Sequence, residues 1–533
     1  MEKTDSKLVL ALDIGTTTIK AMVINEKGNI LGSSHVKTVV KVPESHQEEI
    51  EPNMLWESVI KVLRLSLKVA EIRPVDVTCV GVCTMRGSFI TWSKRTGEPF
   101  HNIITWNDKR AKKLAKKLDK GLQLKILRLI SSPAYMITGN KIHQLNKNYH
   151  IDLITCNIKL SWFLKNNLEV CQAAKQKDLM FGTLDSWLVY KLNGGSIHVT
   201  EPSNVISTGF WDLFTQEYST RALKYFDIPP SILPKVVNSC SRTEFGGVDL
   251  TILQDPTLIS NKENKIPITA VMGDQGASAF GLGCTMKGDM KVTIGTGTFC
   301  HMNTGESPHC SFDGLYPVIC WKELGDSQFF VEGQLHGTSA SLEWGKHMRF
   351  YEDPTETSDM AYSANDIGDL YFVPAFHGLQ EPFTDAKAGC GFIGLKRDHG
   401  TKELTRAILE SIAFGVKAIV DRLELQIANA KLTKEIKADG GISQNDFVME
   451  LIANLTGKST IQMASHDMSL IGVAVMAGIQ SNVWNSRNDI NHLLASGKKF
   501  MPTTSTDEKK KLVCRFRQWK KACQHFGGFQ DID

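Results

Sequence analysis

Two stretches far apart in the chain share one grammar. An apolar run from Lys7 to Asp13 stops at Gly15-Thr16-Thr17-Thr18, resumes at Ala21 to Ile24, and turns at Glu26-Lys27-Gly28 before Asn29 to Leu31. The same order returns at Lys291 to Thr304, where an apolar run meets Gly295-Thr296-Gly297-Thr298 and a second run follows. Short apolar runs bounded by glycine turns read as hairpins, and a unit that recurs in one chain signals a duplicated domain. Helical periodicity at Asn53 to Ala70 and Phe181 to Leu192, with a strand-like run at Asp76 to Val82, makes the expected class α/β, twice over. At 533 residues the chain exceeds what one core usually serves, so two domains are expected. A polar stretch at Asn261 to Lys265, ended by Pro267, places their boundary near Gly283, giving 1–282 and 283–533.

Charge and cysteine usage narrow the class of ligand. With 61 basic and 57 acidic residues the formal net charge is only +4, so no long-range field calls for nucleic acid and a small molecule is the expected partner. The 12 cysteines are scattered, with no Cys-x-x-Cys pair and no histidine cluster at metal spacing, which fits free thiols in a reducing, cytoplasmic setting. No apolar run approaches the roughly 20 residues of a membrane span, and the first one, about seven residues long, is too short for a signal sequence. One stretch tempts a membrane reading. Lys109 to Ile130 forms a basic amphipathic helix with Leu114, Leu118 and Leu122 on one side, and a core-facing stripe with a solvated basic face is the expectation. The same holds for Lys509 to Phe526, with Leu512, Phe516 and Trp519 between its cations.

Phosphoryl transfer needs backbone donors around phosphates, a carboxylate for a metal and a base for the acceptor's proton. Each has a candidate. Asp13 closes a strand ahead of a turn whose Gly15, Thr16, Thr17 and Thr18 offer N–H groups and hydroxyls, and Lys20 adds a charge. Thr296 lies in the second glycine-threonine turn, suited to clasp the same phosphates from the other domain. Asp439-Gly440-Gly441-Ile442-Ser443-Gln444-Asn445 joins a strand to a helix in the manner of a nucleotide's adenosine end. Gly273-Asp274-Gln275-Gly276 sets a carboxylate free at a strand end. Taken singly, each is matched by a plain surface turn.

Together with the longer stretches FGTLDSWLVYKLNGG (Phe181 to Gly195), HVTEPSNVISTGFWDL (His198 to Leu213), IPITAVMGDQGASAFG (Ile266 to Gly281), YFVPAFHGL (Tyr371 to Leu379) and ADGGISQNDFV (Ala438 to Val448), they form a pattern. The chain resembles the glycerol kinases, a branch of the polyol and sugar kinases built from two actin-like, ribonuclease-H-like domains, over nearly its whole length. The resemblance implies ATP-dependent phosphorylation of glycerol with Mg²⁺, in a cleft between the domains. It implies Asp274 as general base and aid to the metal, Asp13 as metal carboxylate, and Thr16, Thr17, Thr18, Lys20 and Thr296 at the nucleotide phosphates. Gly441 and Asn445 would meet the adenosine. Arg86, Gln275, Trp106 and Phe299, with Asp274, would hold the polyol. Family habit also suggests a homodimer.

Two departures stand out. Where glycerol kinases carry a polyol-binding glutamate after the arginine, this chain has Gly87, so Gly87→Glu is expected to tighten glycerol. An aromatic hydroxyl ahead of the Lys-x-x-Trp motif, here Lys159 and Trp162, is replaced near Ile154. A kinase for another small polyol or ketose, and a nucleotide-binding scaffold with little turnover, are the alternatives.

Overall fold

The computed structural model describes residues 7–147, 149–253, 265–310, 315–335, 337–376, 378–379, 383–426, 433–465, 467–490, 492–494 and 496–530. The duplicated grammar appears as two mixed sheets of similar plan. In the first, β1 (Leu8–Ile14), β2 (Thr18–Asn25) and β3 (Ile30–Lys37) form an antiparallel meander. β4 (Cys79–Thr84) runs parallel to β1, β6 (Lys265–Gly273) runs parallel to β4, and β5 (Gly247–Asp249) edges β6 antiparallel. In the second, β7 (Met290–Ile294) and β8 (Thr298–Gly305) form the hairpin, followed antiparallel by β10 (Asp326–Leu335) and β9 (Tyr316–Glu323). On the other side of β7, β11 (Glu435–Asp439) and β12 (Ser459–Met463) run parallel to it, and β13 (Ser496–Phe500) closes the edge antiparallel.

The helices that matter below are α1 (Pro52–Val69), α2 (Lys112–Asp119), α3 (Leu122–Thr138), α4 (Cys156–Asn166), α5 (Leu184–Leu192), α6 (Asp274–Gly281), α7 (Thr401–Gln426), α8 (Asp446–Thr456), α9 (Met468–Gln480) and α10 (Thr506–His525). One core lies under the first sheet against α1 and α5, and another joins the second sheet to α7, α8 and α10. A third joins the sheets: Val9, Ala11 and Met22 of the first share a buried cluster with Val318, Phe330 and Ile461 of the second, with α6 and α9 between.

Three expectations need correction. Phe181 to Leu192 is not one helix, because Leu179–Thr183 pairs as a strand with Phe89–Ser93 and the helix starts at Leu184; a continuous apolar run hides that change of period. The run from Asp76 extends only from Cys79, since Pro74–Asp76 makes a 3₁₀ turn. Lys109 to Ile130 breaks at Gly121 into α2 and α3. Leu114 and Leu118 pack inward, but Leu122 is 71% exposed. Most of the polar stretch Asn261 to Lys265, residues 261–264, lies outside the described residues, and Gly283 falls between α6 and β7.

Candidate active site

Because β1, β4 and β6 are parallel neighbours, their carboxyl ends share one edge, the usual place for a ligand crevice in an α/β sheet. Asp13 is the last residue but one of β1, Arg86 follows β4, and Asp274 opens α6 directly after β6. Arg86 Nε stands 3.5 Å from Asp274 Oδ1. The Asp13 carboxylate is buried; its Oδ2 accepts from Ser469 Oγ of α9 at 2.6 Å, while Oδ1 has no partner among the described residues. Burial pushes the Asp13 carboxyl up to about 6 against the pull of Ser469, and the charge of Asp274 adds to the rise. Burial also raises Asp274, opposed by Arg86 and by the Gln275 N–H. A buried carboxylate with an orphaned oxygen, raised further by a second carboxylate nearby, suits a hard divalent cation. The β6–α6 turn is fixed from behind, since Gly273 N donates to Ser203 Oγ at 2.8 Å and Ser203 Oγ donates to the buried Glu201 at 2.6 Å.

Arg86 is held from across the cleft. Its Nη2 donates to Glu332 Oε2 of β10 at 2.8 Å, Tyr316 OH donates to Glu332 Oε1 at 2.7 Å, and His301 Nε2 donates to Oε2. Burial works to raise Glu332, but Arg86 and then His301 outweigh it and keep the carboxyl well below its usual range. Burial drives His301 down to about 4, so it is a neutral donor. Gln275 Oε1 accepts from Lys291 Nζ at 2.9 Å, with Thr293 Oγ1 3.3 Å away. Thr293 and Ser278 each donate to Asp439 at 2.6 Å. A buried polar net thus ties α6 to the carboxyl ends of β7 and β11.

The turns show which candidates remain available. Gly15 N donates to Thr18 O at 3.0 Å, closing the first turn, and Trp106 Nε1 donates to Thr16 Oγ1 at 3.0 Å. Thr17 is exposed, as is Thr296 in the second turn. Side chains added at Gly295 or Gly441 would enter open space, whereas one at Gly440 (φ +88°) would strike the Ile294 carbonyl at 2.5 Å. Gly440 therefore lets the turn from Asp439 to Asn445 lie directly on the end of β7. Phe299 is half-buried on β8, opposite Thr293 and Gln334. Lys20 is ion-paired with Asp467 at the start of α9. Asn445 caps α8 through Val448 N at 3.1 Å and donates to Thr357 Oγ1 at 3.0 Å, so its side chain serves the fold.

Next to Arg86, Gly87 has φ +72°, and a Cβ there would lie 2.9 Å from the Ile154 carbonyl oxygen. This crowding is organised by Lys159 of α4, wholly buried, whose Nζ donates to the carbonyls of Thr105 at 2.9 Å, Trp106 at 3.2 Å, and Gly87 and Ile154 at 3.4 Å. Burial pushes the Lys159 ammonium down to about 8.

Family models match nearly all of this framework: FGGY family of carbohydrate kinases, N-terminal domain, over residues 8–281, and the C-terminal domain over residues 290–481. The chain belongs to the FGGY family of carbohydrate kinases. Glycerol kinase 5 of Danio rerio is 35% identical over 519 residues, covering 97% of this chain and 96% of that protein. Glycerol kinase 2 of Thermotoga maritima is 30% identical over 526 residues, covering 98% and 99%. The crystal structure of Plasmodium falciparum glycerol kinase with ADP superposes with a TM-score of 0.83 at 24% identity, over 98% of both chains. The two-domain, actin-like fold follows. Motif reading of this FGGY kinase missed Glu332, Lys291, Ser469 and the anchoring role of Lys159. A charged residue inside an apolar strand, as in Lys291-Val292-Thr293-Ile294 or Phe330-Val331-Glu332, was the available signal.

Proposed function

We propose that this FGGY kinase transfers the γ-phosphoryl group of ATP to a terminal hydroxyl of glycerol, with Asp274 as the base. One observation carries the reading: the half-buried Asp274 carboxylate, its pKa raised, sits at the amino end of α6 beside Arg86 and within electrostatic reach of Asp13. A base with a raised pKa takes the acceptor's proton more readily as the oxygen approaches phosphorus. The curated relatives named glycerol kinase support glycerol as acceptor, and the ADP in the Plasmodium falciparum structure supports an adenine nucleotide. Asp13, with Asp274, would hold Mg²⁺, which neutralises charge on the phosphates. Arg86 would orient a polyol hydroxyl while Glu332 fixes its guanidinium. Thr16, Thr17 and Thr18, with Thr296 from the facing turn, would line the phosphates, and Gly441 would leave room for adenosine. Trp106, braced by Thr16, and Phe299 would cover the carbon face of the acceptor, excluding water that would otherwise take the phosphoryl group.

A second reading, a kinase for another small polyol or ketose, is favoured by one observation: the residue after Arg86 is Gly87, which brings no carboxylate of its own, and a side chain there would meet the Ile154 carbonyl. All twelve cysteines are unpaired, which suits a reducing, cytoplasmic location. ADP release measured with Mg-ATP and glycerol, dihydroxyacetone, xylulose or no acceptor, against Asp274→Asn, tests the assignment. Glycerol-dependent release lost in the variant supports it. Preference for a ketose moves the second reading forward, and nucleotide binding without turnover on any acceptor overturns both in favour of a scaffold.

A further inference from the structure

The segment after Trp106 has a surface that the kinase chemistry does not use. α2 turns Leu114, Ala115 and Leu118 into a small core with Phe89 and Phe163, and α3 turns Leu124 and Leu127 the same way. The opposite side of α3 is also apolar. Leu122 is 71% exposed, Ile126 47%, Leu129 77%, Ile130 51%, Met136 80% and Ile137 84%. At about 100° per residue these six and the exposed Pro133 fall within an arc of about 120°, about 22 Å long, that no polar side chain interrupts. A solvated helix presents polar residues there, so this face is built for a covering.

Its charge says what covers it. Lys112, Lys113, Lys116, Lys117 and Lys120 of α2 and its end, with Lys125 of α3, are all exposed. Asp119 is the one acidic residue between Lys109 and Ile151. It is ion-paired with Arg128 and accepts from Ile151 N at 3.1 Å, so it does not offset the lysines. The segment that carries the apolar arc thus also carries six exposed lysines and a single, already paired acid.

We propose that α2 and α3 form a docking face for an anionic lipid bilayer. α3 lies in the interface with its outer arc among the acyl chains, and the lysines of α2 meet the anionic headgroups. A convex, uninterrupted apolar helix face flanked by lysines is the pattern of an interfacial helix, and anionic leaflets attract such clusters. A second copy of this chain is a poor occupant, because pairing the face with itself sets lysines against lysines. No helix among the described residues is long and apolar enough to cross a membrane, so the contact is peripheral. The inference does not depend on which acceptor the kinase uses.

Co-sedimentation of the full chain with phosphatidylcholine–phosphatidylserine vesicles tests it. Binding is expected to be at least about tenfold stronger than to phosphatidylcholine alone and to weaken in high salt. The double variant Leu129→Glu/Ile137→Glu, at solvent-exposed positions, is expected to lose at least about tenfold in binding at an unchanged Tm. If that variant misfolds, Lys112→Glu/Lys113→Glu/Lys117→Glu must give the same loss. Absence of wild-type binding to anionic vesicles at low salt, or binding unaffected by either variant, overturns the proposal. So does a wild-type dimer in solution that Leu129→Glu converts to monomer, which would assign the face to a second copy.

Discussion

Adding a side chain at Gly87 separates what family likeness suggests from what the backbone permits. By likeness, Gly87→Glu supplies a missing polyol ligand and tightens glycerol. The geometry argues the reverse. Gly87 has φ +72°, where an L-residue costs about 1–2 kcal/mol. Its Cβ would also meet the Ile154 carbonyl oxygen at 2.9 Å and Trp106 Cβ at 3.1 Å. Both neighbours are tied to Lys159, so relieving the contact weakens at least one buried hydrogen bond, about 1–3 kcal/mol more. The expected loss is about 2–5 kcal/mol, or roughly 2–5 °C in Tm for a cooperative unit of this length. Since Trp106 holds Thr16 by its indole N–H, KM for both substrates should rise. Gly87→Ala isolates the backbone effect from the carboxylate. Thermal unfolding and coupled ADP-release kinetics on both variants decide the matter. An unchanged Tm for Gly87→Ala, or a lower glycerol KM for Gly87→Glu, would refute the reasoning.

Asp274→Asn should keep ADP binding by calorimetry while kcat falls by about 10²–10⁴, since shape is preserved and the base removed; retention of most of the turnover would exclude that role. Glu332→Gln should raise the acceptor KM more than it lowers kcat, because Arg86 loses its anchor. It should also move the acid limb of kcat/KM to lower pH, since the Glu332 charge helps raise Asp274 and competes for Arg86. An unmoved limb would place Glu332 outside the site's electrostatics. His101, stacked on Phe163 with a 4.2 Å centroid spacing, is driven by burial to about 4, below its unfolded value near 6.5. The unfolded chain therefore binds the extra proton between those values, and stability should fall by up to about 3 kcal/mol as pH drops through them; denaturant titrations of His101→Gln should show a flatter slope there.

What local sequence carries, sequence reading found. Asp13, Gly15, Asp274 and Gly440 stand at strand ends and tight turns, where a few neighbouring residues specify the backbone. Glu332 was not legible, because its meaning comes from Arg86, His301 and Tyr316, brought together only by the packing of two sheets. Lys20 and Asn445 show the converse. Each stands in a motif that invites a ligand, and each also has a partner within the protein that its motif does not show, Asp467 for Lys20 and the start of α8 for Asn445. The outward stripe of α3 escaped for another reason. Periodicity reports that a helix has an apolar side, not which way that side faces, and α3 has two.

The crossing of α6 and α9 bears on how this chain can be taken apart. A Cβ on Gly472 would lie 1.9 Å from the Ala277 carbonyl oxygen, and one on Gly281 would lie 2.3 Å from the Met468 carbonyl oxygen, so the helices meet backbone to backbone. α6 belongs to the first half in sequence and α9 to the second, yet α9 packs against β1, β4 and β6. The duplicated sheets are therefore interlocked rather than merely adjoining. Severing the chain between them would strip the first sheet of one of its covering helices and expose Val9, Ala11 and Met272 to water. Expressed as separate polypeptides, the halves should recover solubility only when produced together, as complementing fragments of a single folding unit.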